Sequence, residues 1–145
     1  MIRSRADYSM SRIIPVPAEA ENTARCAVDA IFQVHRALGP GLLESVYAAC
    51  LEEELGGRAM QFTREVAIPL RYGSKQMEVG FRADFIVAGC LLIELKAVEA
   101  LHPVHHAQVI TYLKLTGLPL ALLVNMNVPR IKDGIHRLFH PSLAS

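Results

Sequence analysis

The first half of the chain places its apolar residues three and four positions apart, which is the spacing of one face of a helix. A first helix is predicted from an N-cap at Asn22 or Thr23 to a stop at Gly39-Pro40-Gly41. A second helix is predicted from about Leu42 to Leu55, where two glycines end it. The chain therefore begins its regular structure with two helices joined by a glycine-rich turn.

From residue 62 onward the pattern changes to the alternation that is typical of strands. Strands are predicted at 62–70, 76–87 and 91–96, and "RYGSK" forms the turn between the first two. Residues 103–116 return to helical spacing, "LPLALLVNM" predicts a strand buried on both faces, and "GIHRLFH" predicts a last edge strand. This order predicts an α/β fold with one mixed β-sheet flanked by α-helices.

The stretch "RADFIVAGCLLIELK" combines apolar strands with three charged residues, Asp84, Glu94 and Lys96. In a hairpin with its turn at Gly89, Val87 faces Leu91, Phe85 faces Ile93, and Asp84 faces Glu94. Because side chains alternate along a strand, the odd-numbered residues form one apolar face and the three charges emerge together on the other. The sequence therefore predicts that two carboxylates and an ammonium lie side by side.

Two facing carboxylates repel each other, so in a poorly solvated place one must bind a proton unless a cation lies between them. Mg²⁺ or Mn²⁺ suits carboxylate oxygens, and Lys96 could hold a water or a phosphate oxygen beside the ion. The alternative is a salt bridge between Lys96 and the two acids at a strand end.

Other polar residues are expected near these charges. His105, Gln108 and Tyr112 share one face of the helix that follows the strand of Glu94 and Lys96. Glu44 lies on the same helical stripe as Tyr47 and Leu51, both expected to be buried, so a glutamate there requires a partner. The alternative for Glu44 is an acid in the first turn of a helix, where acids are favoured.

The bulk composition limits the classes of protein. The 145 residues are 52% hydrophobic and carry a net charge of +1, so the chain can form one packed domain, and any nucleic-acid partner must bind a local patch. Residues 1–20 lack periodicity and contain two prolines, so we expect a flexible N-terminal arm there and a single domain over 21–145. Three separated cysteines favour reduced core thiols in a cytoplasmic protein, and no apolar segment is long enough for a membrane span.

These motifs together resemble the PD-(D/E)XK nuclease superfamily. The resemblance rests on Asp84, the Glu94-Leu95-Lys96 triplet, the helical Glu44, and Gln108 with Tyr112. More narrowly, Gly41, Glu44 and Tyr47 meet the pattern of the small bacterial GxxExxY proteins, and the likeness extends from the first helix to about residue 138. One departure is Ala83-Asp84 where the superfamily name has Pro-Asp.

The resemblance implies a restriction-endonuclease-like core and a metal-dependent nuclease that hydrolyses phosphodiester bonds in the cytoplasm, with DNA as the favoured substrate. Asp84 and Glu94, joined by Glu44, would ligate Mg²⁺ or Mn²⁺, and Lys96 would position or activate the attacking water. Gln108 and Tyr112 match the QxxxY pattern of the phage-exonuclease branch, which supports the site and contacts the nucleic-acid backbone. Small nucleases of this kind often act as homodimers.

Further contacts with nucleic acid are expected from Arg64 and Arg82 on the strands leading to the site, and from His105 beside Gln108 and Tyr112. Arg71 and Lys75 are weaker candidates, and for any single cation a solvated strand face is the alternative. Two other functions stay open: a nuclease fold that binds nucleic acid or a protein with little or no catalysis, and a zinc site built from His102, His105 and His106.

Overall fold

Helix α1 runs from Ala18 to Leu38, in a computed structural model that describes residues 16–143. It begins four residues before the predicted N-cap at Asn22, because alanines and acidic residues follow Pro17 and suit the first turn of a helix. Ala20 and Ala24 extend its buried face toward the N-terminus. The last residues assigned to the predicted arm are therefore helical, and residues 1–15 lie outside the described part of the chain.

Helix α2, Glu44–Gly57, packs against α1 with Tyr47, Leu51 and Leu55 buried. Five strands then build one mixed sheet, and two short strands form a separate hairpin. Their bounds are β1 Phe62–Ala67, β2 Leu70–Tyr72, β3 Lys75–Met77, β4 Arg82–Val87, β5 Leu91–Lys96, β6 Leu120–Asn125 and β7 Ile135–Phe139. Helix α3, Pro103–Thr116, connects β5 to β6 and ends at Gly117, which adopts the left-handed conformation.

The order of strands in the main sheet is β1-β4-β5-β6-β7. Strands β5 and β6 are parallel, and the other neighbours are antiparallel, so the sheet is mixed as predicted. The crossover through α3 is what permits the parallel pair. All residues of β6 are buried, and β7 lies at the sheet edge, as their sequence patterns indicated.

The predicted continuous strand over residues 76–87 is wrong. Residues 75–77 pair with β2 in the separate hairpin, and the chain enters the main sheet only at Arg82. Gly80 lies between the two segments with φ 82°, a conformation that interrupts a strand. The cations Arg71 and Lys75 therefore belong to the small hairpin and not to the sheet that carries Asp84.

Each face of the sheet packs against its own helices. Phe85, Val87, Leu91, Ile93 and Leu95 join the core formed with α1 and α2, which confirms the predicted odd-numbered face. Leu92, Ala121 and Leu123 pack against α3 on the opposite face. Asp84, Glu94 and Lys96 lie on β4 and β5, the strands between these two layers.

The three cysteines lie in different environments. Cys90 is buried and Cys50 half-buried, but Cys26 is exposed on α1, so the expectation of three core thiols is wrong for Cys26. Among the described residues, no helix is both long and apolar enough to cross a membrane.

Candidate active site

The β4–β5 hairpin brings Asp84 and Glu94 together. The turn at Ala88-Gly89 sets the register, with Val87 opposite Leu91 and Phe85 opposite Ile93, as predicted. Beyond the Phe85–Ile93 pair, side chains take over the hydrogen bonding between the strands. The Leu95 N–H donates to Asp84 Oδ2 at 2.7 Å, and the Asp84 N–H donates to Glu94 Oε1 at 3.2 Å. Each carboxylate is thereby held by the backbone of the other strand.

This arrangement disfavours negative charge on Glu94. The pKa of Glu94 is raised to about 8, chiefly by burial and then by the Asp84 carboxylate, while the Asp84 N–H and Lys96 oppose the rise. Burial also raises the pKa of Asp84, against the Leu95 hydrogen bond and Lys96. At neutral pH, therefore, Glu94 keeps its proton when no other cation is present.

The salt bridge that was the alternative interpretation is too weak to change this. Lys96 Nζ lies 3.9 Å from Glu94 Oε2, beyond hydrogen-bonding distance, and Glu94 is only 6% exposed. If the ammonium compensated for burial, Glu94 would ionise at an ordinary pKa. If both carboxylates were ionised, the pair would thus carry more negative charge than Lys96 alone can neutralise.

Glu44 faces Asp84 across a cleft. It is the first residue of α2, where no earlier helical turn covers its side chain. Glu44 is therefore exposed, which agrees with the alternative of an acid in the first turn of the helix. Glu44 does not share the burial of Tyr47 and Leu51. Partial desolvation raises the pKa of Glu44, Lys96 lowers it, and Asp84 raises it, so all three charges act on one another.

The cleft has a volume of about 370 Å³. Its lining comprises Glu44, Ser45, Ala48, Arg64, Glu65, Arg82 and Asp84. The two arginines that were predicted to contact phosphates therefore border the same space as the candidate metal ligands Glu44 and Asp84. The alternative of a solvated strand face fits Arg82, whose side chain is 61% exposed, better than Arg64, at 24%.

Both arginines are occupied by acidic neighbours. Arg64 pairs with Glu52 at 2.6 Å and lies over the Phe85 ring, while its Nε is buried without a hydrogen-bond partner among the described residues. Arg82 pairs with Glu65 at 3.0 Å. A phosphate entering the cleft must therefore compete with carboxylates for these guanidinium groups.

Glu65 is a residue of the cleft that the sequence analysis did not identify. It lies in β1 between the residues that pair with Phe85 and Ala83 of β4, within 3.5 Å of Arg64, and it also bonds Arg82. Its φ of 51° is unusual for a residue with a side chain, and such strain is common at functional sites. A charged residue inside the alternating pattern of β1 was the only signal in the sequence.

Helix α3 supplies Tyr112, which is buried with its ring 5.7 Å from that of Phe81. Burial raises the pKa of Tyr112, and Glu94 and then Asp84 raise it too, against a hydrogen bond with the Arg82 backbone. Tyr112 therefore belongs beside the carboxylates. Gln108 lies one turn earlier on α3 and is half-buried.

The histidines of α3 have structural partners. His105 Nδ1 accepts from the His102 N–H, and His102 Nδ1 accepts from the Val104 N–H, which together cap the helix. Burial and then Lys96 lower the pKa of His105, so it lies near the lysine. His106 packs against His136 instead, with ring centroids 5.4 Å apart. The three histidines of the zinc hypothesis are thus divided between two tasks.

No three histidine, cysteine or acidic side chains within residues 16–143 are grouped closely enough to ligate one metal ion. Of the expected ligands, Asp84 and Glu94 are together, and Glu44 as a third ligand stays a prediction. A half-buried Asp84 and a buried Glu94 that share one nearby lysine still fit a hard divalent cation, because oxygen ligands are those that Mg²⁺ and Mn²⁺ prefer.

A mixed sheet between helical layers, with two acids and a lysine on one hairpin, defines a restriction-endonuclease-like α/β fold. Over residues 21–138 the chain matches the family model described as the PD-(D/E)XK nuclease superfamily, and it belongs to that superfamily. This confirms the predicted fold class and the broader resemblance. Membership of the narrower GxxExxY group stays a prediction.

Among solved structures, the chain is similar to "Crystal structure of SSO0001", with a TM-score of 0.52 and 23% sequence identity. The match covers 83% of this chain and 59% of the other, so this chain spans less than two thirds of that protein. At this identity the similarity supports the fold alone. No curated protein matches the sequence significantly.

Proposed function

We propose that this protein is a metal-dependent nuclease that hydrolyses phosphodiester bonds of nucleic acid, with DNA as the favoured substrate. The observation that carries the proposal is the pair of half-buried Asp84 and buried Glu94 beside Lys96, where the pKa of Glu94 is raised to about 8. Holding two carboxylates in this way costs stability, and a site that binds a cation explains why the cost is tolerated.

Asp84 and Glu94 would hold Mg²⁺ or Mn²⁺, with Glu44 and the Leu95 carbonyl as further candidate ligands. A divalent ion bound there polarises a phosphate oxygen and lowers the pKa of a coordinated water. The backbone hydrogen bonds of Asp84 and Glu94 fix the two carboxylates before substrate arrives, so little reorganisation is needed on binding.

Lys96 would stabilise the negative charge that develops on the phosphate and orient the attacking water. Its side chain is 19% exposed and so is shielded from bulk solvent. A charge in such a poorly solvated place acts more strongly on its neighbours than it would in water. Tyr112 and Gln108 would support the carboxylates from α3 and contact the nucleic-acid backbone, with His105 near Lys96.

Arg64 and Arg82 would receive the phosphates that flank the reacting one. Both border the cleft that contains Glu44 and Asp84, which puts candidate phosphate contacts next to the candidate metal ligands. With a net charge of only +1, the chain has no general attraction for nucleic acid, so binding would depend on these local cations.

A second function is a nuclease-fold module that binds nucleic acid or a protein and cuts slowly or not at all. The ion pairs of Arg64 and Arg82 with Glu52 and Glu65 favour the protein-binding form of this module, because they oppose phosphate entry. A homodimer also remains a proposal, and light scattering of the purified protein tests it.

The test of nuclease function is cleavage of single- and double-stranded DNA and RNA with Mg²⁺, with Mn²⁺ and with EDTA. We expect cleavage only with a divalent ion, and loss of cleavage in Glu94→Ala and Lys96→Ala. The matched controls are Glu53→Ala and Lys114→Ala, which change exposed residues of α2 and α3. Cleavage that persists in the two site variants excludes this mechanism, and nucleic-acid binding without cleavage supports the module.

A further inference from the structure

The loop between α1 and α2 is tied to the end of β5 by a chain of hydrogen bonds. The loop covers residues 39–43 and leads directly into Glu44, while the segment after β5 begins at Lys96 and continues to Val98. These two segments are more than fifty residues apart in the sequence. Three side chains connect them, those of Tyr47, Asn125 and Asn127.

Tyr47 fixes the loop from the helix side. It is fully buried, and its hydroxyl donates to the Gly39 carbonyl at 2.6 Å while accepting from the Leu42 N–H at 3.2 Å. The hydroxyl therefore uses both its donor and an acceptor position to close the loop over the first turn of α2. The helix starts at Glu44, between these two attached loop residues and Tyr47.

Asn127 fixes the same loop from the sheet side. Its Oδ1 accepts from the Gly41 N–H at 2.9 Å, a contact between residues 86 positions apart. Gly41 has a φ of 98°, a conformation open to glycine and strained for other residues, so the loop presents this N–H only because glycine stands there. Gly41 and Tyr47 are thus held on either side of Glu44.

Asn125 joins this arrangement to the end of β5. Its Oδ1 accepts from the N–H groups of Val98 and Asn127, both at 3.1 Å, and its Nδ2 donates to the Val98 carbonyl at 2.9 Å. The Lys96 carbonyl in turn accepts from the Met126 N–H at 2.8 Å. Asn125 is only 3% exposed, so these bonds form away from solvent, where leaving one unmade is costly.

We propose that Tyr47, Asn125 and Asn127 form a clamp that positions Glu44 relative to Lys96 and the Asp84–Glu94 pair. All three are positioning residues, and the inference rests on the proposed nuclease function for its catalytic consequence. The clamp also gives a physical reason for the spacing of Gly41, Glu44 and Tyr47. The glycine and the tyrosine are the attachment points, and together they position the glutamate that lies between them.

A clamp of this kind differs from ordinary core packing in what it holds. Asn125 occupies the last position of a strand that is otherwise apolar and buried, where an aliphatic residue would pack without desolvating an amide. Its bonds do not extend a helix or a strand, and they run to backbone groups flanking candidate site residues. The expected consequence is a correlated placement of α2 and β5 across the cleft.

The first experiment measures amide hydrogen exchange in the full chain. We expect Tyr47→Phe, which keeps the buried ring, to speed exchange at Leu42 by about tenfold, and Asn127→Ala to do the same at Gly41. Tyr72→Phe is the matched control, since Tyr72 is 78% exposed on β2 and should leave both amides unchanged. Unchanged exchange at Leu42 and Gly41 in the clamp variants overturns the proposal.

The second experiment separates positioning from general stability. Mn²⁺ affinity and cleavage rate are measured for Tyr47→Phe, Glu44→Gln and the double variant. If Tyr47 acts through Glu44, Tyr47→Phe lowers the rate by up to about 100-fold in the unaltered chain but has little further effect once Glu44 is replaced. Equal losses in both backgrounds show a merely structural role and contradict the clamp.

The two proposals fail in different ways. If the unaltered protein neither binds Mn²⁺ nor cleaves nucleic acid, the proposed function is wrong, and the exchange rates at Gly41 and Leu42 still decide whether the clamp exists. If the unaltered protein cleaves and the double variant shows independent losses, the nuclease assignment stands and the positioning role is wrong.

Discussion

Two polar clusters, those of Asn125 on β6 and of Glu94 on β5, lie on neighbouring strands, and they differ in how well their buried polar groups are compensated. Asn125 is 3% exposed and every polar group of its side chain is hydrogen-bonded. Glu94 is 6% exposed, and its pKa is raised to about 8 chiefly by burial and then by the neighbouring Asp84 carboxylate. A buried polar group whose hydrogen bonds are all made contributes to structure, whereas a buried acid beside another acid is a candidate cation ligand.

The largest expected effect is the loss of cleavage when Glu94 or its neighbour Lys96 is replaced. Glu94→Ala and Lys96→Ala should each lower metal-dependent cleavage by about 1000-fold, in line with removal of groups that act on the transition state. Cleavage is measured in single-turnover assays, and circular dichroism establishes that each variant stays folded. A loss below about tenfold in both variants would show that the chemistry lies elsewhere.

The pH dependence of stability follows from the raised pKa of Glu94. Below about pH 4.5, the ordinary pKa of a glutamate, Glu94 is protonated in folded and unfolded chains alike, so its ionisation does not change the free energy of unfolding. As the pH rises from there to about 8, the unfolded chain gives up this proton and the folded chain does not, so the free energy of unfolding falls. Above pH 8 it levels off.

Glu94→Gln removes the contribution of Glu94 to this dependence, because an amide has no proton to lose. We expect the variant to exceed the unaltered protein in stability by on the order of 3 kcal/mol at pH 9 and by little at pH 4. Urea unfolding at the two pH values measures the difference. A constant difference between the proteins across this range would contradict the account of Glu94.

The satisfied cluster predicts a loss of stability instead. Asn125→Ala removes the side-chain partner of the Val98 and Asn127 N–H groups and leaves the Val98 carbonyl with only the 3.4 Å bond from Asn127 Nδ2. The free energy of unfolding should therefore fall by about 2 kcal/mol at every pH. Asn22→Ala, at an exposed position of α1, is the control and should change stability by less than about 0.5 kcal/mol. A pH-dependent loss for Asn125→Ala would remove the contrast with Glu94.

The smallest expected effects concern the arginines of the cleft. Arg82→Ala should weaken DNA binding and lower its salt dependence by about one unit of slope, because one phosphate contact is lost. Glu65→Gln should strengthen binding, since it frees Arg82 and Arg64 from a competing carboxylate. Fluorescence anisotropy over a range of salt concentrations measures both, with Arg36→Ala on α1 as the control.

Local patterns in the sequence predicted the hairpin well, because its turn fixes a register within a few residues. The pairing of Val87 with Leu91 and of Phe85 with Ile93 follows from counting outward from Gly89. The buried strand β6 and the end of α3 at Gly117 were equally local. Each of these features depends on a few neighbouring residues, which is why they could be predicted.

Features that depend on distant contacts could not be predicted in the same way. The clamp joins Gly41 to Asn127 across 86 residues, and no pattern near either residue indicates it. The exposure of Glu44 depends on where α2 begins, and the early start of α1 depends on the buried contacts of Ala20 and Ala24. Tertiary packing decided each of these, against or beyond local preference.

The most direct test of the central claim is a calorimetric titration of the unaltered protein with Mn²⁺ near pH 7, repeated in buffers of different ionisation enthalpy. Because Glu94 holds a proton that a bound ion must displace, binding should release about one proton per ion, and Glu94→Gln should bind more weakly and release none. Absence of binding, or binding that releases no proton and is unchanged in Glu94→Gln, would contradict the claim that this carboxylate pair is a cation site.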